Sequence, residues 1–159
     1  MSVAIEKLKE LRTKESYGIL WLGYSGKKPE EKYHFDCMQE VIPDKIIRGT
    51  RGLEVGCGCG WDLRIMATRD PSVRIIGMDM SDGVYTAKET VGNLENAELI
   101  KGSACAIPFQ NGVFNFVYSF GVLHHLPRPD KGLAEIYRVL KKDSPVFFVS
   151  LRRPCGESD

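Results

Sequence analysis

Apolar positions along this chain follow two periods, and the changes from one to the other mark the elements. Short runs rich in β-branched and aromatic residues lie at Leu53-Glu-Val55, Val73 to Asp79, Ala97 to Lys101, Phe114 to Gly121 and Pro145 to Val149, and they read as strands. Between them the spacing turns helical. Leu63, Ile65, Met66 and Ala67 follow the first strand; Val84, Ala87 and Val91 lie in a helix expected over 83–93; Leu133, Ile136, Tyr137 and Leu140 mark the inner face of one over 131–142, with lysines at its C-terminal end. Strands alternating with helices imply right-handed crossovers and a parallel sheet. The fifth strand, Pro145-Val-Phe-Phe-Val149, is almost continuously apolar and is expected to be buried on both faces.

The first 48 residues follow a different pattern. Val3, Ile5, Leu8 and Leu11 form one apolar stripe with a charged opposite face, which predicts a short amphipathic helix over 2–14. Tyr17 to Tyr24 is dense in aromatic residues; Tyr17, Trp21 and Tyr24 either pack this segment onto the core or line a pocket. Pro29 and two glutamates open a second helix over 29–40, with Tyr33, Cys37 and Met38 facing inward and His34 in a charged, exposed setting. Ile42-Pro43 ends it, and the chain runs through Ile46 and Ile47 into the first strand.

Composition narrows the functional class. A chain of 159 residues, 43% hydrophobic and 27% charged, suits one domain with a real core, and a net charge of +1 gives no basic footprint. Neither a nucleic-acid partner nor a membrane is expected. No apolar run reads as a leader or a span. The cysteines number five, Cys37, Cys57, Cys59, Cys105 and Cys155, and read as free thiols in a reducing, cytoplasmic setting. Cys57 and Cys59 form C-x-C, not the C-x-x-C of zinc sites, so no metal is expected.

The chemistry concentrates in Gly52 to Asp62, G-L-E-V-G-C-G-C-G-W-D. Glycines at 56, 58 and 60 let the backbone turn sharply and leave room for a ligand at the main chain. The spacing is G-x-G-x-G, not the G-x-G-x-x-G of the dinucleotide fold, and Glu54 precedes it by two positions, which suits a ligand with a cationic part better than a pyrophosphate. A nicotinamide-dependent oxidoreductase is disfavoured accordingly, and no nucleoside triphosphate loop is present.

L-E-V-G-C-G-C-G resembles the first motif of the class I S-adenosylmethionine-dependent methyltransferases, and the resemblance extends over roughly residues 30–150, toward the small-molecule type. It implies an α/β, Rossmann-like three-layer sandwich with a mainly parallel sheet in the order 3-2-1-4-5, lacking the C-terminal hairpin of the family's seven-stranded sheet. Residues 49–159 would form the cofactor-binding domain and residues 1–48 a cap or lid. The cofactor implied is S-adenosyl-L-methionine. Its methionine half would lie on Gly56, Cys57, Gly58 and Gly60 with Glu54 supporting its charge; Asp79, 19 residues after Gly60, would hold the ribose, and Met80 would flank the adenine. A turn or cap role for Asp79 is the structural alternative.

Gly102-Ser-Ala-Cys-Ala-Ile-Pro-Phe109 resembles the family's G-D-A-x-x-L-P-F, with Ser103 in place of the aspartate that contacts the adenine; Ser103, Ala104 and Cys105 would line that end, with weaker recognition than a carboxylate gives. Ser119 on the fourth strand joins the cofactor set. The following V-L-H-H-L-P loop lies beside the methyl group in relatives, making His124 and His125 the candidates for base or orienting group, or else for pinning the loop. The function implied is methyl transfer to a small-molecule acceptor; a cofactor-binding but non-catalytic partner subunit is the alternative. The N/D-P-P-Y/F signature of enzymes methylating nucleic-acid bases and protein glutamine is absent. An uncovered fifth-strand edge would suit a homodimer, or else a truncated form of a longer protein.

Overall fold

In the computed structural model the described residues are 3–23, 38 and 40–149. The chain forms helix α1 (Val3–Gly23), a helical turn α2 (Asp44–Ile47), then β1 (Arg51–Val55), α3 (Trp61–Arg69), β2 (Arg74–Asp79), α4 (Gly83–Val91), β3 (Ala97–Lys101), β4 (Phe116–Phe120), a 3-10 turn at Leu123–His125, α5 (Pro129–Val139) and β5 (Val146–Val149). All four strand pairs are parallel and the sheet order is β3-β2-β1-β4-β5, the expected one. The order reverses beside β1, and that crevice at the strands' C-terminal ends is where an open α/β sheet takes its ligand.

Two apolar layers sandwich the sheet, and the two-residue period of each strand assigns its side chains between them. Leu53, Val55, Ile76, Met78 and Val117 face a layer completed by Ile136 and Val139 of α5. Ile75, Phe116 and Tyr118 face the other, with Leu63, Met66 and Ala67 of α3 and Met38, Ile42 and Ile47. Each such buried side chain contributes roughly 1.5–3 kcal/mol relative to exposure. Arg69 ties the entering chain to α3: its guanidinium donates to the carbonyls of Met38 and Ile42 and to Asp44. The turn α2, which the sequence reading passes over, is thereby anchored.

Several expectations need correction. β5 is not buried on both faces, since Val146 and Phe148 are exposed while Phe147 packs inward. On α5 the inner face is Gly132, Ile136 and Val139; Leu133 is exposed and Tyr137 is 83% exposed. Gly132 lets the helix approach Leu126, and that rotates Leu133 outward.

The largest departure is α1, which is one helix through the aromatic segment. Its apolar stripe points away from the body: Ile5, Leu8, Leu11, Ile19 and Leu22 are exposed. The inward face carries Glu6, Glu10, Thr13, Tyr17 and Trp21, at helical spacing, with Gly18 buried against Ser81 and the Asp82 amide. Of the helix expected over 29–40, Met38 is buried as anticipated; Tyr24, Tyr33, His34 and Cys37, like Cys155, lie outside the described residues.

Candidate functional site

A cavity partly open to solvent lies at the C-terminal ends of the central strands. Its floor is Val55 and Gly56 after β1, Met78, Asp79 and Met80 at the end of β2, and Gly102 and Ala104 after β3. Phe120, Gly121, Val122, His125 and Leu126 form one end, and Thr13, Tyr17 and Trp21 of α1 form the roof. The lining is largely apolar with a few convergent polar groups, the usual character of a small-molecule site.

The glycine loop is held by the sheet. The amides of Gly56 and Cys57 both donate to the Met78 carbonyl, and Gly60 donates to the Cys57 carbonyl, closing a turn that leads into α3. Gly56, Gly58 and Gly60 all have positive φ, at 83°, 51° and 82°. At Gly56 a Cβ would also run into the Val122 side chain, so the closeness of the loop to the β4 end depends on its absence.

Asp79 sits at the centre. Its Oδ2 accepts the Gly58 amide at 2.8 Å, and its Oδ1 accepts both the Ser81 amide and hydroxyl at 2.7 Å. The carboxylate thus braces the loop and also faces the cavity. One lone pair of Oδ2 remains, and rotation of the Ser81 hydroxyl frees another at Oδ1, so the group can accept from a vicinal diol.

His125, not His124, lines the cavity. The Tyr17 hydroxyl lies 2.6 Å from His125 Nε2, and the His124 ring, itself outside the lining, stacks obliquely on that of His125 at 3.8 Å. Burial and the neighbouring His124 hold the His125 imidazole below its usual 6.5, and burial raises the Tyr17 phenol. Both favour neutral partners, with the phenol donating to the ring.

The other sequence candidates fall outside the lining. Glu54 is turned to the opposite face of the sheet and buried, accepting from the Tyr118 hydroxyl at 2.9 Å. Burial, then the nearby Asp62, raise its carboxyl well above the usual range, and it faces away from the cavity. Alternation decides this: Val55 faces the cavity side, so Glu54 cannot. Cys57 and Cys59 are buried; burial pushes the Cys57 thiol well up and the Cys59 thiol to about 11, so both stay protonated and inert. Gly60 packs against Ala87 of α4, where a Cβ would lie 2.8 Å from that methyl. Ser119 is buried and donates to the Val55 carbonyl, cross-linking β4 to β1.

Ser103 lies at the rim, donating to Glu10 of α1 at 2.6 Å while accepting the Cys105 amide. Cys105 is half-buried beside it, outside the lining. Thr13 is a lining residue that sequence reasoning missed; its spacing to Tyr17 and Trp21, four and eight residues, is the signal that places all three on one face. Among the described residues no group of three or more His, Cys, Asp or Glu side chains is placed to hold a metal, and no helix is long and apolar enough to cross a membrane.

Residues 53–148 match a family model described as a methyltransferase domain. The chain is 32% identical over 120 residues to demethylmenaquinone methyltransferase from Staphylococcus aureus, an alignment covering 73% of this chain and 49% of that protein. It thus spans about half the length of the curated relatives it matches. Among solved structures it is similar to the YcgJ protein of Bacillus subtilis, with a TM-score of 0.67 at 24% identity over 75% of this chain and 50% of that one. It is also similar to phosphoethanolamine N-methyltransferase 2 of Haemonchus contortus in complex with phosphomonomethylethanolamine and S-adenosylhomocysteine. There the TM-score is 0.65 at 25% identity, over 74% of this chain and 28% of that one. With its glycine loop, its sheet order and a family match over more than half its length, the chain belongs to the methyltransferase domain family.

Proposed function

We propose that the cavity binds S-adenosylmethionine and that the chain carries methyl transfer to a small-molecule acceptor. The observation that carries this reading is Asp79: a carboxylate at the end of β2, fixed by the glycine loop and by Ser81, facing an apolar cavity with acceptor capacity left for a diol. Asp79 holds the ribose hydroxyls; Met80 and Ala104 flank the adenine, with Ser103 and Cys105 at its outer edge. Gly56 lies under the methionine portion, and Gly58 beside it is covered by the Trp21 indole. Glu54, Cys57, Gly60 and Ser119 support the loop from behind.

When bound, the cofactor supplies an electrophilic methyl on a sulfonium, which passes to a nucleophile in line and leaves a neutral thioether. The protein's share is positioning and exclusion of water. His125 stands at the Val122 end of the cavity, oriented by Tyr17; its Nε2 takes the proton of an acceptor that must lose one only after the Tyr17 hydroxyl has turned away, and His124 does not line the cavity. Of the segment 1–48 expected as a cap, α1 acts as the roof, while Met38, Ile42 and Ile47 belong to the core of the cofactor-binding domain. Relatives acting on demethylmenaquinone and on phosphoethanolamine support a small molecule as acceptor.

The test is calorimetric titration of the chain with S-adenosylmethionine and S-adenosylhomocysteine, beside Asp79→Asn. Saturable one-site binding that weakens at least about tenfold in the variant supports the reading. A folded chain that binds neither compound overturns it.

A further inference from the structure

Trp21 occupies a slot formed where two separate elements lack side chains. A Cβ on Gly58, in the glycine loop, would lie 2.7 Å from Cε2 of the Trp21 indole; a Cβ on Gly83, at the start of α4, would lie 2.8 Å from Cδ1. Both distances are closer than atoms can approach, so the indole needs both glycines. Gly58 has a positive φ that favours glycine in any case, whereas Gly83 starts a helix and shows no such backbone demand. Its bare Cα is explained by the indole above it.

The rest of α1 is held less firmly. Ile5, Leu8, Leu11, Ile19 and Leu22 are exposed; Gly18 lies on Ser81 and the Asp82 amide, Tyr17 bonds His125 inside the cavity, and Glu10 with Ser103 and Glu6 with Arg128 at 3.6 Å are polar ties at the rim. Such rim contacts contribute little each. A seated indole buries far more apolar area than any of them. Trp21 also lines the cavity, whose opposite wall holds Gly56 and Asp79, so the seat and the roof are the same side chain.

We propose that Trp21 is a ligand-retaining residue: its indole, seated on Gly58 and Gly83, closes the roof, and the residence time of a bound nucleoside is set by unseating of that ring. This rests on the reading of the cavity as a cofactor site. An alanine at Gly83 meets the indole first, at 2.8 Å, and Ser81 Oγ less closely, at 3.1 Å; Trp21→Ala leaves Ser81 alone, so the two variants together separate the indole from the Asp79 brace.

The experiment is a dissociation chase on the full chain: tritiated S-adenosylhomocysteine is bound, an excess of unlabelled compound is added, and retained label is followed by rapid filtration. Gly83→Ala and Trp21→Ala are compared with wild type, each checked by circular dichroism for a cooperative melt. Dissociation at least about tenfold faster in Gly83→Ala, equivalent to about 1.4 kcal/mol, with association changed less than about threefold, is expected. Trp21→Ala, where it folds, behaves alike. Dissociation within about twofold of wild type, or slower, in a folded Gly83→Ala chain overturns the proposal while leaving the cofactor reading intact. A wild-type chain that binds no S-adenosylhomocysteine overturns both.

Discussion

Tyr17 and His125 stand 108 residues apart in sequence, and the phenol oxygen of one lies 2.6 Å from Nε2 of the other. The bond joins the roof of the cavity to the loop after β4, so the order of the His125 ring depends on α1 being in place. Donation by the phenol leaves the imidazole proton on Nδ1 and Nε2 occupied.

Tyr17→Phe keeps the aromatic body and removes the donor. Loss of one hydrogen bond of about 0.5–1.5 kcal/mol predicts a roughly two- to tenfold weaker affinity for S-adenosylhomocysteine by titration. The His125 pKa, followed by NMR, should rise toward 6.5, because a donor that favours the neutral ring is gone. The sign for stability follows: with its folded value below 6.5, His125 costs the fold nothing above that pH and costs stability as pH falls through the folded value. An unchanged titration in Tyr17→Phe would show that the bond does not set the ring's protonation.

The sheet was legible in the sequence because its strands are bounded by glycine and proline and its helices carry buried residues at regular spacing. Leu63, Met66 and Ala67, or Val84, Ala87 and Val91, are all buried as read. The site was legible only in part. Asp79 and Gly56 follow from the loop's chemistry, but Glu54 and Ser119 required knowing which face of a strand each side chain takes. The register of β1 against β2 and β4 decides that, and it is long-range information. The orientation of helix α1 was not legible for another reason. Its apolar stripe suggested the buried face, while Gly58 and Gly83 had already made room for Trp21 on the opposite one. A slot formed by distant glycines leaves no periodic trace.

Arg138 offers a stability test away from the cavity. Its guanidinium donates to the carbonyls of Ile107 and Phe109 at 2.8 and 2.7 Å and pairs with Glu135, which accepts the Ile107 amide. Arg138→Met keeps the stem but takes the guanidinium donor from the Phe109 carbonyl and leaves the Ile107 carbonyl with the Phe109 amide alone. A loss of about 1–3 kcal/mol is expected in urea unfolding, with faster hydrogen exchange at the Ile107 amide. Equal midpoints would mean that water replaces the clamp.

Gly56→Ala and Gly112→Ala separate backbone strain from crowding. Both glycines have positive φ, 83° and 68°, so each alanine costs about 1–2 kcal/mol of backbone energy. Only at Gly56 does the new methyl enter a neighbouring side chain, that of Val122; at Gly112 the nearest atom is the Leu140 carbonyl oxygen at 4.0 Å. Both variants should melt lower, and Gly56→Ala alone should lose S-adenosylhomocysteine binding by at least about tenfold. Equal binding in the two would sink the claim that the loop's approach to Val122 shapes the cavity.

Glu54 gives the clearest dependence on pH. Its carboxyl is buried between β1 and α3, close to Asp62 and Asp79, and only the Tyr118 hydroxyl favours the ionised form; burial is the largest cause of its raised pKa. A carboxyl raised in this way stabilises the fold while protonated. That contribution is fully present below about pH 4.5, the unfolded value, and is lost as pH rises through the folded one. At pH 8 the fold therefore carries a burden that Glu54→Gln removes, since the amide oxygen still accepts from Tyr118 and the charge is gone. The variant should melt a few degrees above wild type at pH 8, about 1 kcal/mol, with the gap closing toward pH 5. Tyr118→Phe should do the reverse, pushing the Glu54 value further up and lowering the melting temperature at pH 8. A Glu54→Gln chain less stable than wild type at pH 8 would mean that the carboxylate has a compensating partner, and the neutral role assigned to Glu54 would fall.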